Sequence, residues 1–258
     1  MSEPQKPYEI SNLESQIIFP PWYGELGWEV MTWAPFCRRA AQGHERVIVT
    51  TFDGMAPLYA DFATEFRSNG ERARSLTYPK HYRVKGLHYR YGRREKAGTY
   101  FDLLIHARGV ARKSSINYRY WPQLADLIER KGWSVAWIGG PKDTWQPGCG
   151  FDLRGLELQK LMDIIAASRL VIGVSSGIMH LAAACGTDLL VWGDRRTYFG
   201  ETLETRYKAT WNPHQVRVGW IDADNWQPEP QRIIEEIETI INQTGQTGRT
   251  GQTMKGQQ

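Results

Sequence analysis

Leu170-Val171-Ile172-Gly173-Val174-Ser175-Ser176-Gly177-Ile178-Met179-His180-Leu181-Ala182-Ala183 is the stretch on which the fold turns. Its first five residues are continuously apolar, as in a strand buried on both faces of a parallel sheet. Two hydroxyls and a glycine follow, and then an apolar helical run. Gly177 permits close backbone approach, and the N–H groups at a helix start can hold an anion. His180, one turn in, could face the same ligand. An ordinary strand–helix junction, with Ser as cap and a buried His, has the same sequence.

The same alternation extends to both sides. Strands are expected at Leu103–His106, 135–138 (ending in Gly139-Gly140) and 189–192. Helices are expected at Trp121–Lys131, where Pro122 suits the first turn, and at 156–168 and 180–185. Ile233, Ile234, Ile237, Ile240 and Ile241 mark the apolar face of a last helix. The first half reads less cleanly: strands at 17–19, 47–49 and 75–78, a tight turn at 24–27, and helices at 28–41 and 56–66. Alternating β and α units predict an α/β fold of two compact Rossmann-like halves facing a cleft. The expected division is 1–97, with a basic linker, then 98–243, then a Gln/Thr/Gly-rich disordered tail at 244–258.

Composition bounds the function. The chain has 258 residues, 41% hydrophobic and 23% charged, which excludes a wholly disordered, collagenous or coiled-coil chain. Three Cys without a CxxC pair (37, 149 and 185) argue against a disulfide framework or a Cys-based zinc site. The polar start Met1-Ser2-Glu3-Pro4 is unlike a secretory signal, and no run is apolar enough for a lipid span, so a cytoplasmic protein without stable membrane insertion is expected. No GxGxxG or Walker A motif occurs, which sets aside NAD enzymes and P-loop enzymes.

Residues 101–194 carry a resemblance. Asp152-Leu153-Arg154-Gly155, the apolar run from Ala166 to Val174, and Ser175-Ser176-Gly177 through His180-Leu181-Ala182-Ala183-Ala184-Cys185-Gly186 resemble the donor half of family 9 glycosyltransferases. These are the ADP-heptose:lipopolysaccharide heptosyltransferase type, with the GT-B fold. Upstream, Arg119-Tyr120-Trp121-Pro122 looks like that family's Lys-x-Trp-Pro, and Trp137-Ile138-Gly139-Gly140-Pro141-Lys142-Asp143 like its strand ending in Gly-Gly-Pro and an acidic residue.

The resemblance implies a transferase moving a sugar from a nucleotide-diphosphate sugar to an acceptor hydroxyl, with no cofactor or metal beyond that donor. It implies that Ser176, Gly177 and His180 border the diphosphate, that Asp143 lies near the nucleoside, that Ser175, Gly139 and Gly140 belong to the same donor-binding set, and that Arg119 neutralises the leaving group. The family commonly has Asp where this chain has Ser175, and Lys where it has Arg119, which leaves the nucleotide and sugar open. Counting back from Pro35, Glu29 falls at the family's catalytic carboxylate and would deprotonate the acceptor. Glu25 is the reserve candidate, and a helix-start role for Glu29 is the alternative. Arg108, closing the strand at 103–106, is placed to meet a phosphate, or to sit in a solvated basic loop.

Three further readings stand beside these. Asp222-Ala223-Asp224 has the form of a metal motif but precedes the last helix, where Asp commonly caps. Between Phe66 and Lys96, ten Lys/Arg against two Glu give +8, interleaved with tyrosines. That suits a solvated linker, an anionic saccharide or lipid acceptor, or nucleic acid, with the saccharide or lipid favoured over DNA. A sugar-nucleotide epimerase and a non-catalytic nucleotide-sugar or nucleic-acid binder remain as alternative functions.

Overall fold

The computed structural model describes residues 11–13, 15–71, 90–92, 100–109, 117–142, 144, 145, 148–198 and 200–247. The first half holds β1 (Ser11–Leu13), β2 (Gln16–Phe19), β3 (Arg46–Thr51) and β4 (Glu65–Ser68). They form a four-stranded sheet in that order, parallel except for β1. Pro20 and Pro21 end β2, and the chain turns into one helical segment. It comprises α1 (Leu26–Trp28), a π-helical turn (Glu29–Trp33) and α2 (Ala34–Ala40).

The second half holds six parallel strands: β5 (Leu103–His106), β6 (Val135–Trp137), β7 (Phe151–Asp152), β8 (Leu170–Val174), β9 (Asp188–Gly193) and β12 (Val218–Asp222). A short hairpin, β10 (Thr197–Tyr198) and β11 (Glu201–Thr202), stands apart from the sheet. The helices are α3 (Trp121–Lys131), α4 (Leu158–Ala166), α5 (Gly177–Cys185), α6 (Leu203–Thr205) and α7 (Pro230–Thr247). Strand order is β12-β9-β8-β5-β6-β7, so the winding reverses between β5 and β8. Open sheets of this kind take ligands outside the strand ends at that reversal.

Both faces of the larger sheet are covered, as the apolar runs predict. One core joins β5, β6 and β8 to α3 and α7 through Leu103, Trp121, Trp137, Ile172, Ile233 and Ile237. The other runs from Phe19 and Trp33 of the first half, through Met179 and Leu181 of α5, to Val171 and Val191. The halves therefore share one hydrophobic core.

The expected helix at 56–66 is not formed. Residues Ala56–Leu58 make a 3₁₀ turn, and Phe66 lies in β4, 41% exposed. The competing force is visible at Thr64: its backbone N–H donates to the Val47 carbonyl at 2.9 Å, and its Oγ1 accepts from the Val47 N–H at 2.9 Å. Such side-chain bonds to a neighbouring strand compete with helix formation. The expected strand at 75–78 and most of the basic stretch fall outside the described residues. Within it, residues 66–71 include the end of β4, and residues 90–92 lie against the rest of the fold. Arg90 donates to the carbonyls of Cys185 and Gly186 at the end of α5, and the buried Tyr91 donates to the Leu58 carbonyl at 3.1 Å. The last helix runs to Thr247, past the expected start of the tail at 244; residues 248–258 lie outside the described ones.

The halves meet most closely where α1 crosses the start of α5. A Cβ on residue 27 would stand 2.7 Å from His180 Cδ2, and one on residue 177 would stand 3.1 Å from the Gly27 nitrogen. Gly27→Ala should therefore destabilise the protein by about 1–3 kcal/mol, the usual cost of overpacking. Denaturant unfolding checks this, and an unchanged midpoint contradicts the contact.

Candidate active site

The polar groups at the winding reversal come from the ends of β5 and β8. After β8 the chain leaves the sheet through Ser175 and Ser176, and α5 begins at Gly177. Ser176 makes no side-chain cap to that helix. Its Oγ instead lies 3.0 Å from Nδ1 of His106, the last residue of β5. Arg108, two residues on, donates through Nη1 to the Ser175 carbonyl at 3.3 Å. These two bonds bridge the reversal point. The start of α5, its N–H groups unclaimed by Ser176 Oγ, lies between them and Gly27.

The His106 ring needs the bare backbone of Gly139. A Cβ there would stand 2.9 Å from His106 Cδ2 and 2.5 Å from Thr144 Cγ2, and φ is +121°. The Gly140 carbonyl accepts from Thr144 Oγ1 at 2.7 Å, which steadies the same loop. His180 is 9% exposed. Its ring stacks on Tyr207 with centroids 4.7 Å apart and planes 8° apart, and meets the edge of Trp211. Trp211 in turn packs edge-on against Trp28 from the first half.

Of the residues singled out from the sequence, Arg108, Gly139, Gly140, Ser175, Ser176, Gly177 and His180 converge here. Asp143 lies outside the described residues. Arg119 does not join the cluster. Its contacts are with Tyr120, whose hydroxyl it meets at 2.7 Å and over whose ring it lies, and with Gln227, which accepts its backbone N–H. Glu29 does not face the crevice. It is fully buried, and its Oε1 accepts from the Tyr59 hydroxyl at 2.6 Å. Burial, with the Glu29 charge adding to it, raises the Tyr59 pKa and keeps that donor protonated. Glu25, just before α1, is exposed. His106 and Tyr207 were not singled out. A polar residue ending an apolar strand marks the first, whereas the second carries no sequence signal beyond its four-residue spacing from Trp211.

Nearby, a pocket of about 170 Å³ is lined by Asp194, Arg195, Thr202, Glu204, Trp220 and Asp222. It is smaller than the roughly 300 Å³ at the low end of ligand sites. Its carboxylates are already engaged: Trp226 Nε1 donates to Asp194, and Trp220 Nε1 and Arg195 meet Asp222. Asp222 is thus tied up within the Asp-x-Asp sequence. Among the described residues, no three His, Cys, Asp or Glu side chains gather as a metal-holding group. No helix among them is long and apolar enough to cross a membrane.

Both histidines are held neutral. Burial, with Arg108 adding to it, pushes His106 down to about 3 from 6.5, and burial with Arg206 does the same to His180. Between those values the unfolded chain binds protons that the folded chain refuses. Stability contributed by the neutral rings is therefore present above pH 6.5 and lost as pH falls toward 3. The slope is up to about 1.4 kcal/mol per pH unit for each ring. His180→Asn should lose less stability than wild type between pH 7 and 5 in denaturant titrations. Parallel curves contradict the assignment.

This geometry can be set beside known proteins. No curated protein sequence matches the chain. Among solved structures, E. coli ADP-heptose lps heptosyltransferase II superposes with a TM-score of 0.62 at 14% identity, covering 88% of this chain and 99% of that one. A family 9 glycosyl transferase from Veillonella parvula gives 0.61 at 12% identity, covering 90% and 99%. The iron-containing dodecameric glycosyltransferase TibC of enterotoxigenic E. coli gives 0.53 at 16% identity, covering 91% and 76%. At such identities the likeness is one of fold. The model of glycosyltransferase family 9 (heptosyltransferase) matches residues 72–229, more than half of the chain. The chain therefore belongs to glycosyltransferase family 9, enzymes that transfer a sugar from a nucleotide sugar.

Proposed function

We propose that the donor is a nucleoside diphosphate sugar whose diphosphate lies across the β5–β8 reversal, between Arg108 and the first turn of α5. The observation that carries this reading is the pair of bonds bridging the reversal, His106 to Ser176 and Arg108 to Ser175. They bring a cation, two hydroxyls and a helix start to one place. The guanidinium and the helix start supply positive charge where the departing diphosphate gains negative charge. That role needs no divalent metal.

The exposed Glu25 is the base in this reading. It immediately precedes Leu26 and Gly27, which abut Gly177. Its carboxylate takes the proton of the acceptor hydroxyl as the oxygen attacks the anomeric carbon, and the nucleoside diphosphate departs. Glu29, locked to Tyr59, anchors the helix on which Glu25 depends. The +8 stretch from Phe66 to Lys96 favours an anionic saccharide or lipid as acceptor. Two structural neighbours are named for ADP-heptose, which makes ADP-sugars the first donors to try.

The test is transfer from ADP-, UDP- and GDP-sugars to an anionic oligosaccharide, with and without EDTA. Turnover should survive EDTA. Glu25→Gln should lower kcat by about 10²-fold or more with its melting temperature held, the usual loss on removing a general base. Glu29→Gln should instead cost stability, about 1–3 kcal/mol. Full activity in Glu25→Gln, or abolition by EDTA, would overturn the respective parts.

A further inference from the structure

Tyr207 lies in a π-helical turn, Arg206–Thr210, and is fully buried. Isolated π-turns are frequent at functional sites. Its hydroxyl accepts from the Ser176 N–H at 3.2 Å and lies 3.1 Å from Ser175 Oγ. Its ring stacks on His180 and, more loosely, on Trp220, with Trp211 at its edge. His180 Nε2 is 3.3 Å from the same hydroxyl. The two rings are parallel at 4.7 Å, so that contact crosses the stack and does not follow the in-plane lone pair. The hydroxyl's directed bonds therefore go to the two serines.

A phenol offers one proton and two lone pairs. One lone pair takes the Ser176 N–H, a donor just outside the helix that no intrahelical carbonyl can reach. The Ser175 hydroxyl uses the proton or the other lone pair. Both serines are half-exposed at the reversal, beside Arg108 and His106. The tyrosine behind them is sealed from solvent. It reaches the crevice only through the residues it holds.

We propose that Tyr207 is a positioning residue of the transfer reaction, which fixes the Ser175-Ser176 junction through its hydroxyl and the His180 ring through its face. This rests on the reading that the junction receives the donor. Without the hydroxyl, the Ser176 amide loses its acceptor and the Ser175 side chain its hydrogen-bond partner, while the ring stack stays. Donor binding should weaken, and the chemical step should change little, since Tyr207 reaches none of the reacting atoms.

Tyr207→Phe keeps the ring and tests the hydroxyl alone. Its donor KM should rise about three- to tenfold, the worth of one or two hydrogen bonds, with kcat within about twofold. Ser175→Ala removes a partner without disturbing the buried ring and should raise donor KM in the same range. The double variant should be little worse than the poorer single one, because both remove one shared bond. A lowered melting temperature with unchanged donor KM in Tyr207→Phe marks a purely structural role and overturns the proposal. So do independent effects that multiply in the double variant. Should Tyr207→Phe not fold, an unchanged donor KM in Ser175→Ala overturns it alone. If wild type turns over no nucleoside diphosphate sugar, the function above fails. Calorimetric binding of ADP, UDP and GDP then reads the positioning role separately, with the same three- to tenfold loss expected in Tyr207→Phe.

Discussion

Gly27 and Gly177 allow the helix starts of the two halves to touch, and the site is built around that contact. With no side chain at either position, the Leu26-Gly27 backbone lies against the first turn of α5 and the edge of His180. The shared hydrophobic core follows from this approach, since Trp33 and Met31 of the first half pack with Met179 and Leu181 of the second. Arg90 and Tyr91 close the arrangement at the far end of α5, where Arg90 meets the last carbonyls. Cations at a helix C-terminus are favourable for the same dipolar reason that anions are at its start.

The proposed donor site depends on how polar groups are satisfied at this junction. Ser176 would ordinarily cap α5, but its hydroxyl faces His106. That leaves the helix start available for a ligand and ties β5 to β8. Neutral, buried imidazoles add no positive charge of their own; the cations beside them are Arg108 at His106 and Arg206 at His180. Two π-helical turns frame the crevice, Glu29–Trp33 in the first half and Arg206–Thr210 in the second. Trp28 and Trp211, at their borders, touch each other.

Much of this was legible in the sequence, and the failures have identifiable causes. The buried parallel strands read correctly because a short, continuous apolar run bounded by Ser, Gly or His suits a strand covered on both faces. Trp121–Lys131 and Leu170–Val174 match to the residue. The helix expected at 56–66 failed because Leu58, Phe62 and Phe66 imitate a helical stripe, while pairing at Thr64 with Val47 decided the outcome. Strand preference of this kind resides in the partner strand and not in the local residues. Glu29 was expected to reach the acceptor, whereas the fold buries its side chain against the Tyr59 hydroxyl, in a π-turn that residue spacing does not reveal. Tyr207 could not be found from spacing, because its partners lie about thirty positions away and the residues between show no period.

Hydrogen–deuterium exchange with and without a nucleoside diphosphate tests most directly whether the β5–β8 reversal is the donor site. Protection should appear at residues 106–109 and 175–180 together, and at 26–28 across the contact. Protection confined to 194–204 and 220–222, around the pocket of about 170 Å³, with the reversal unchanged, would contradict this reading of the site.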